Sequence, residues 1–258
     1  MKKVLAVMSL ALMATSIGAS AKELKEIRFG VQPDSPPFEM KMADGKLTGF
    51  DIDLGDAICE KLKVECVWVE NDFDGMIPAL KAKKFDGVLS SMSVTEKRQK
   101  QMAFSDKLFN APARMVVKKG STLLPTAEFL KGKRIGVQQG TTQETYAKTY
   151  WAPLGVTVVS YQNQDLNQAD LVAGRVDATL QDAVQADVGF LQTPRGRDFD
   201  FAGPPLNDSK TLGSGTAIGL RKEDDELRQL INKAIADIHE DGTYQRLEKK
   251  YFSFSLYD

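Results

Sequence analysis

Short apolar runs and longer amphipathic stretches alternate along most of the chain. The runs at 26–31, 64–69 and 133–137 have the length and β-branched content of strands. The stretches at 51–62 and 223–240 carry apolar residues at helical spacing. Because strand and helix alternate in two series of about a hundred residues each, we predict an α/β fold of two lobes. Each lobe should hold a mainly parallel sheet flanked by helices, with a ligand cleft between the lobes.

The remaining pattern predicts further elements around this framework. The Pro-rich segment 32–37 is interpreted as a loop, because proline fixes φ and lacks a backbone donor. The other predicted elements are strands at 85–89, 114–119, 156–161, 177–181 and 216–220, helices at 74–81, 163–173, 187–191 and 244–252, helix starts at Thr95 and near Thr142, and a turn at 43–46.

The N-terminus has the pattern of an export signal. Lys2 and Lys3 precede an apolar run at 4–14, and Ala19-Ser20-Ala21 is a small-residue cleavage motif. The run is too short to span a bilayer comfortably. We therefore predict a signal peptide at 1–21, cleavage after Ala21, and a periplasmic location.

The two cysteines fit an exported protein. Cys59 and Cys66 stand near the end of a predicted helix and the start of a predicted strand. The spacing is wrong for a C-x-x-C redox site, so a structural disulfide is predicted. A bridge over so short a segment should contribute roughly 2–3 kcal/mol.

Composition and charge exclude several functions. The 34 basic and 35 acidic residues give a formal net charge of −1, which offers no basic surface for nucleic acid. One His (His239) and two Cys cannot build a zinc cluster, and no metal or other cofactor is predicted. A Ser-His-Asp triad would depend on His239 alone.

Two loops that follow strands could hold an anion. Ser90-Ser91-Met92-Ser93, with Thr95 and Arg98, combines hydroxyls, a helix start and a guanidinium. The alternative is a capped helix with a solvated Arg. The segment 138–143 has the same setting in the second series, where Gly140 allows close approach of a ligand and Thr142 can donate. The alternative there is an ordinary turn.

Two further positions complete a candidate ligand site. Asp182 ends a predicted strand and could pair with an ammonium group, or simply cap the next helix. Phe73 could form an aromatic wall, or pack in the core. With Arg98 for a carboxylate and Asp182 for an ammonium, the pattern predicts a site for a free α-amino acid.

Seven segments carry a resemblance to a known family: G-F-D-I-D-L at 49–54, D-G-M-I-P-A-L-K-A-K-K-F-D at 74–86, S-S-M-S-V-T-E-K-R at 90–98, A-F-S-D at 103–106, G-V-Q-Q-G-T-T-Q-E at 136–144, L-R-K-E-D at 220–224 and D-G-T-Y at 241–244. They resemble the family 3 solute-binding proteins of bacterial ABC importers. The similarity covers 26–257 and is greatest to the lysine/arginine/ornithine- and histidine-binding periplasmic proteins.

The resemblance implies the type II periplasmic binding protein fold. Lobe 1 would comprise 22–109 and 213–258, and lobe 2 would comprise 114–206. Two hinge strands, at 110–113 and 207–212, would join them. The resemblance also assigns site residues: the ligand carboxylate on Arg98, Ser91, Ser93 and Thr142, the ammonium on Asp182 near Ser90, and the ligand side chain against Phe73.

Three positions depart from the basic-amino-acid binders. Gln32 and Ser35 stand where those proteins typically carry an acidic residue and a Tyr, and Gln138 replaces a hydrophobic residue. The side-chain pocket is therefore predicted to be rich in amides, although Asp51 remains and Asp34 could turn inward. The predicted ligand is a polar or basic L-amino acid. Lys, Arg, ornithine and His lead by resemblance, and a neutral amide amino acid or an opine is the alternative.

The resemblance further implies transport without catalysis. Hinge closure would trap the ligand, and the expected partner of the monomeric closed form is an inner-membrane ABC permease. A periplasmic dehydratase of the cyclohexadienyl type shares the fold and is the enzymatic alternative, although the sequence offers no clear acid/base pair. A ligand-binding module of a receptor is a further alternative.

Overall fold

The computed structural model describes residues 24–257. The predicted signal peptide and the cleavage site after Ala21 lie outside this range. Within it, no helix combines the length and apolar character needed to cross a membrane.

The described chain alternates short strands and helices. The strands are β1 (Glu26–Val31), β2 (Asp34–Ser35), β3 (Glu39–Lys41), β4 (Leu47–Thr48), β5 (Glu65–Glu70), β6 (Gly87–Val88), β7 (Ala103–Phe109), β8 (Ala113–Lys118), β9 (Arg134–Gln138), β10 (Thr157–Tyr161), β11 (Ala178–Asp182), β12 (Phe199–Leu206) and β13 (Thr216–Leu220). The α-helices are α1 (Phe50–Leu62), α2 (Met76–Lys81), α3 (Glu96–Gln99), α4 (Ala127–Leu130), α5 (Thr142–Tyr146), α6 (Gln164–Val172), α7 (Ala183–Ala186), α8 (Asp225–Glu240) and α9 (Thr243–Tyr251). Shorter turns of 3-10 or π-helix are Phe73–Gly75, Ala147–Trp151, Ala152–Leu154 and Asp187–Leu191.

Two five-stranded sheets form the two predicted lobes. The sheet of lobe 1 has the order β5-β1-β6-β13-β7, and that of lobe 2 has the order β10-β9-β11-β8-β12. In each sheet the fourth strand, β13 or β8, runs antiparallel to its neighbours while the others are parallel. These are the strands that follow the two crossings of the chain between lobes. The predicted α/β, two-lobed fold is confirmed.

Each lobe has its own hydrophobic core. In lobe 1, Ile27 and Phe29 of β1 are fully buried with Phe50, Leu54 and Ile58 of α1 in one cluster. These helix residues recur at intervals of four, which places them on one face. A separate cluster in lobe 2 gathers residues from β8, β9 and β11 around the indole of Trp151.

The predicted disulfide is present. Cys59, in the last turns of α1, is bonded to Cys66 of β5, and their Cα atoms are 5.8 Å apart. The helix ends at Lys63, whose φ of 57° reverses the chain toward the strand. The bridge therefore fastens α1 to the edge of the sheet.

The two connectors between lobes are not strands, and that part of the prediction is wrong. Residues 110–112 are irregular, and Pro112 has no N–H for a sheet ladder. Residues 209–212 form a turn in which the Asp208 carboxylate accepts from the Thr211 N–H at 3.0 Å and from its hydroxyl. The role of 110–113 and 207–212 as hinges remains a prediction.

Several strands are absent from the sequence prediction. Strands β7 and β12 carry polar residues or a Gly-Pro-Pro segment, which hide the period of two. The Pro-rich segment interpreted as a loop contains the two-residue strand β2, which pairs with β3. The hairpin predicted around 43–46 joins β3 to β4.

Candidate functional site

A cleft between the lobes contains most of the predicted site residues. About 520 Å³ of space, part of it open to solvent, lies between the ends of strands from both sheets. Its walls are Ser35, Phe38, Phe73, Ser90, Ser91, Ser93, Arg98, Ala111, Gln138, Thr141, Thr142, Gln143, Gln164, Asp182 and Gln185. Two predicted residues, Gln32 and Asp51, do not line it.

Arg98 provides a buried positive charge at this cleft. The Thr95 hydroxyl caps α3 by accepting from the Arg98 N–H at 3.2 Å, which fixes the start of the helix. The residue is 7% exposed, and its guanidinium donates to the carbonyls of Ser93 (2.7 Å) and Gly140 (3.1 Å). It also lies over the Phe73 ring, 5.5 Å from the centroid.

The charge of Arg98 has no counterion within residues 24–257. No described carboxylate forms an ion pair with it. Burial lowers the pKa of Arg98 to about 10, so the guanidinium stays protonated at neutral pH. Because the two carbonyls leave guanidinium N–H groups free, Arg98 can bind an anion in the cleft.

Asp182 provides the opposite charge from lobe 2. It ends β11 and caps α7, where its Oδ1 accepts from the Val184 and Gln185 N–H groups, both at 2.9 Å. Its Oδ2 is buried without a hydrogen-bond partner. Burial, with a smaller contribution from Asp51, raises the pKa of Asp182 to about 6. One oxygen therefore serves the fold as a cap, and the other is free to accept from a ligand.

The serine loop after β6 is held from behind by Asp51. Ser91 has a φ of 48°, which non-glycine residues rarely adopt. Its N–H and its hydroxyl both donate to Asp51 Oδ2, at 2.7 and 3.1 Å. Asp51 was predicted near the ligand side chain, but it lies in the first turn of α1 behind Ser91. It holds the loop and does not line the cleft.

Asp51 is paired with a second acid, Glu39. Both carboxyls are fully buried and hydrogen-bond to each other. Burial, and then the Asp51 charge, raises the pKa of Glu39 well above its ordinary value. Burial also raises the pKa of Asp51 to about 6. Burial and mutual repulsion therefore favour a proton shared between the two carboxyls.

Gln32 and Gln138 bind each other across the cleft. Gln32 Oε1 accepts from Gln138 Nε2 at 3.0 Å and from the Phe73 N–H at 2.8 Å. Gln32 Nε2 donates to Asp34 Oδ2 at 3.0 Å. The Gln32 amide was predicted to belong to the ligand pocket, but its oxygen and its nitrogen both bond to other residues of the protein. Asp34 accepts from Gln32 and does not line the cleft.

The turn before α5 brings lobe 2 against lobe 1. Gly140 has a φ of 78°, and a Cβ there would lie 2.7 Å from the Asp74 Cα. The glycine therefore permits close approach of the other lobe and not, as predicted, of the ligand. Beside it, Thr142 is 5% exposed and its hydroxyl donates to Gln143 Oε1 at 3.2 Å.

Comparison with known proteins identifies the family. The sequence model of the family "bacterial extracellular solute-binding proteins, family 3" matches residues 27–254. The chain belongs to this family. The histidine-binding periplasmic protein of Escherichia coli (strain K12) is 52% identical to this family 3 protein over 258 residues, which are 100% of this chain and 99% of the relative. The lysine/arginine/ornithine-binding periplasmic protein of the same strain is 50% identical over 256 residues, which are 99% and 98% of the two chains.

A solved structure agrees with the family assignment. An ancestral arginine-binding protein bound to arginine is 39% identical to this family 3 solute-binding protein, with a TM-score of 0.83. The match covers 90% of this chain and 100% of the ancestral protein. The similarity therefore extends over both lobes and the cleft.

Sequence reasoning missed several cleft residues of this family 3 solute-binding protein. They are Phe38, Ala111, Thr141, Gln143, Gln164 and Gln185. Gln143 follows Thr142 directly, and Gln185 stands one helical turn after Asp182, so spacing alone could have indicated both. Phe38 and Ala111 carry no comparable signal, because they reach the cleft through the β2–β3 hairpin and a connector.

Among residues 24–257 no group of His, Cys, Asp and Glu has the arrangement of a metal site. His239 is half-buried and stacks on Tyr244 with ring centroids 4.1 Å apart. The chemistry of the cleft therefore rests on Arg98 and Asp182, which can hold an anion and a cation at once.

Proposed function

We propose that this family 3 solute-binding protein captures a free polar or basic L-amino acid in the periplasm and delivers it to an inner-membrane ABC permease. One observation carries the proposal. Arg98 of lobe 1 and Asp182 of lobe 2 line one cleft, and each keeps hydrogen-bonding capacity that no described residue uses. An α-carboxylate on Arg98 and an α-ammonium on Asp182 would satisfy both charges.

The relatives support this class of ligand. Their names specify histidine in one case and lysine, arginine and ornithine in the other. Those relatives are also periplasmic, which supports export of this chain. The basic amino acids, with neutral polar ones, are therefore the ligands to test first.

Hinge closure is the proposed mechanism. An open form would bind the carboxylate on Arg98, and lobe 2 would then bring Asp182 and Thr142 to the ligand. Hydrogen bonds between the lobes would accompany the closed arrangement: Arg98 to the Gly140 carbonyl, Gln138 to Gln32, and Gln162 to Asp72. As water leaves, the effective dielectric falls and each charge pair is strengthened.

Isothermal titration calorimetry with the ordinary L-amino acids tests the proposal. At least one should bind with micromolar or lower Kd, and Arg98→Met and Asp182→Asn should each weaken it by about a hundredfold or more. The amide of the same amino acid lacks the carboxylate and its N-acetyl derivative lacks the ammonium, so neither should bind. Equal affinity for the N-acetyl derivative would rule out the role of Asp182.

The same preparation tests binding against catalysis and the expected partners. We infer that the protein is not an enzyme, because its cleft offers one acid and one guanidinium arranged to hold charges. NMR of the bound amino acid and of prephenate-like substrates after long incubation should show no product, and product formation would favour the dehydratase alternative.

Light scattering should give a monomer, and N-terminal sequencing of periplasmic protein should begin at Lys22.

A further inference from the structure

Most of the cleft wall is uncharged. Among the described residues that line the cleft, Arg98 and Asp182 are the only charged ones. In the proposed function an α-carboxylate and an α-ammonium use both of them. The side chain of the ligand therefore meets amides, hydroxyls and two aromatic rings, with no counterion of either sign.

The nearby acids are Asp34, Glu39 and Asp51, and none of them lines the cleft. Asp51 Oδ2 binds Ser91 and Asp34 Oδ2 binds Gln32, whereas the Oδ1 atoms of both are buried without a hydrogen-bond partner. A cationic side chain would thus be desolvated without a partner, which is unfavourable for a buried charge.

Gln185 is the strongest unused group of this uncharged wall. It is 7% exposed, and its Nε2 is buried with no hydrogen-bond partner among the described residues. It stands three residues after Asp182 at the start of α7, so the two side chains occupy neighbouring positions on one helical surface. Buried amides normally have partners, which indicates that a ligand group completes this one.

Two other glutamines of lobe 2 offer donors beside it. Gln143 Oε1 accepts from the Thr142 hydroxyl at 3.2 Å, and Gln164 Oε1 accepts from Asn167 Nδ2 at 2.9 Å. Both residues line the cleft, and no described residue accepts from their Nε2 groups. The uncharged wall can therefore donate to an acceptor oxygen, whereas Lys and Arg side chains carry donors only.

We propose that Gln185 determines ligand specificity and that the cleft selects an L-amino acid whose side chain ends in an uncharged carboxamide or ureido group. The carbonyl oxygen of such a group accepts from the glutamine Nε2 groups, and its NH₂ donates to Gln185 Oε1 or the Ser35 hydroxyl. An anionic side chain would likewise be desolvated without a counterion in the uncharged part of the cleft wall. This inference rests on the proposed function, because it needs the α-groups on Arg98 and Asp182.

L-citrulline and L-arginine make a matched pair for the test. They have the same length and shape, and a neutral ureido group replaces the guanidinium. By calorimetry L-citrulline and L-glutamine should bind the wild-type protein at least about tenfold tighter than L-arginine and L-glutamate. Equal affinities, or tighter binding of L-arginine or L-glutamate, would overturn the proposed selectivity.

Variants at Gln185 test its part in the selection. Gln185→Ala should weaken L-citrulline about tenfold without strengthening L-arginine, whereas Gln185→Glu should add a counterion and bring L-arginine ahead of L-citrulline. Gln245→Ala, at an exposed position of α9, is the control and should match wild type. Wild-type affinities in both Gln185 variants, with unchanged circular dichroism, would exclude Gln185 as the determinant.

The two levels of the proposal fail differently. If no L-amino acid binds the wild-type protein, the proposed function itself is wrong. If an amino acid binds and needs Arg98 and Asp182, but in the order arginine before citrulline, only the inference about the side chain is wrong.

Discussion

At the scale of single residues, Asp182 serves the fold and the ligand with different oxygens. Oδ1 caps α7 through two N–H groups, and Oδ2 is buried with no partner. A carboxylate held in this way is unfavourable until an ammonium reaches it. The site should therefore lower the stability of the ligand-free protein.

Replacing Asp182 by Asn should reveal this cost. The pKa of Asp182 is raised from 3.8 to about 6 by burial, so its contribution favours folding below pH 3.8 and is lost as the pH rises through 6. Asn keeps an oxygen for the cap and carries no charge. At pH 8 and without ligand, the free energy of unfolding of Asp182→Asn should be about 1–3 kcal/mol higher than that of the wild-type protein.

Urea denaturation at pH 8 and near pH 4 measures the effect. The gain should be present at pH 8 and should almost vanish at pH 4, where wild-type Asp182 is also largely neutral. A gain of equal size at both pH values would instead point to packing, and a loss at pH 8 would contradict the account.

The Asp51–Ser91 contact supports a second prediction. Asp51→Ala removes the acceptor of two donors that hold Ser91 at positive φ, and it leaves Glu39 without its partner. We expect a loss of about 2–4 kcal/mol in unfolding free energy and about a tenfold rise in ligand Kd. Asp51→Asn keeps an acceptor and should recover most of the affinity, as calorimetry would show. If Asp51→Ala lowered stability but left Kd unchanged, Asp51 would not position the loop.

The place of a residue in the cleft was predictable where it follows from local position. Arg98 and Asp182 were expected at the cleft because each stands near a strand–helix junction, and their roles toward a ligand remain predictions. The contact of Gln32 was not predictable, because its partner Gln138 is 106 residues away and belongs to the other lobe. No local pattern carries that information, and the same holds for Asp51, which lies behind Ser91.

At the scale of elements, the α1–β5 unit of lobe 1 combines a disulfide with the support of the serine loop. Asp51 stands in the first turn of α1 and Cys59 in its last turns. These ends of a thirteen-residue helix are on the order of 12 Å apart at 1.5 Å per residue. Substitutions at the Cys59 end of α1 should therefore change stability without changing ligand binding.

The Cys59→Ser/Cys66→Ser double variant tests this separation. The bridge closes a short loop, so its loss should lower the unfolding free energy by about 2–3 kcal/mol. The ligand Kd should stay within about twofold of wild type, because the bridge lies at the opposite end of the helix from Asp51. A tenfold loss of affinity in protein that is still folded would show that α1 transmits strain to the cleft.

Elements were predictable where one face is apolar over several turns or strand positions. The helix predicted at 223–240 is observed at Asp225–Glu240, with Ile231, Ala234, Ile235 and Ile238 buried. Strand β12 was missed because Gly203, Pro204 and Pro205 interrupt its sequence pattern while its register shifts against β8. Its place in the sheet is decided by pairing with β8, which is remote in sequence.

At the scale of the whole molecule, two glycines of lobe 2 lie where the lobes meet. Gly140 lies against Asp74, and Gly189 lies against Pro36, where a Cβ would be 2.8 Å from the ring Cγ and 3.0 Å from the carbonyl oxygen. Gln162 adds a bond from lobe 2 to Asp72 of lobe 1 at 2.9 Å. If closure traps the ligand, a side chain at either glycine would collide with lobe 1 and keep the lobes from closing completely.

Gly189 gives the cleaner test, because it is in a helical turn at ordinary φ and alanine fits its own backbone. Gly189→Ala should therefore leave lobe 2 folded while its methyl group collides with Pro36 on closure. We expect a larger radius of gyration by small-angle X-ray scattering in the presence of ligand, and an affinity lowered by about tenfold, since a smaller fraction of molecules can close. Gln192→Ala, at the exposed end of the same turn, should behave as wild type in both measurements. If Gly189→Ala also closed normally and bound normally, Pro36 would have moved aside, and contact at this point would not limit closure.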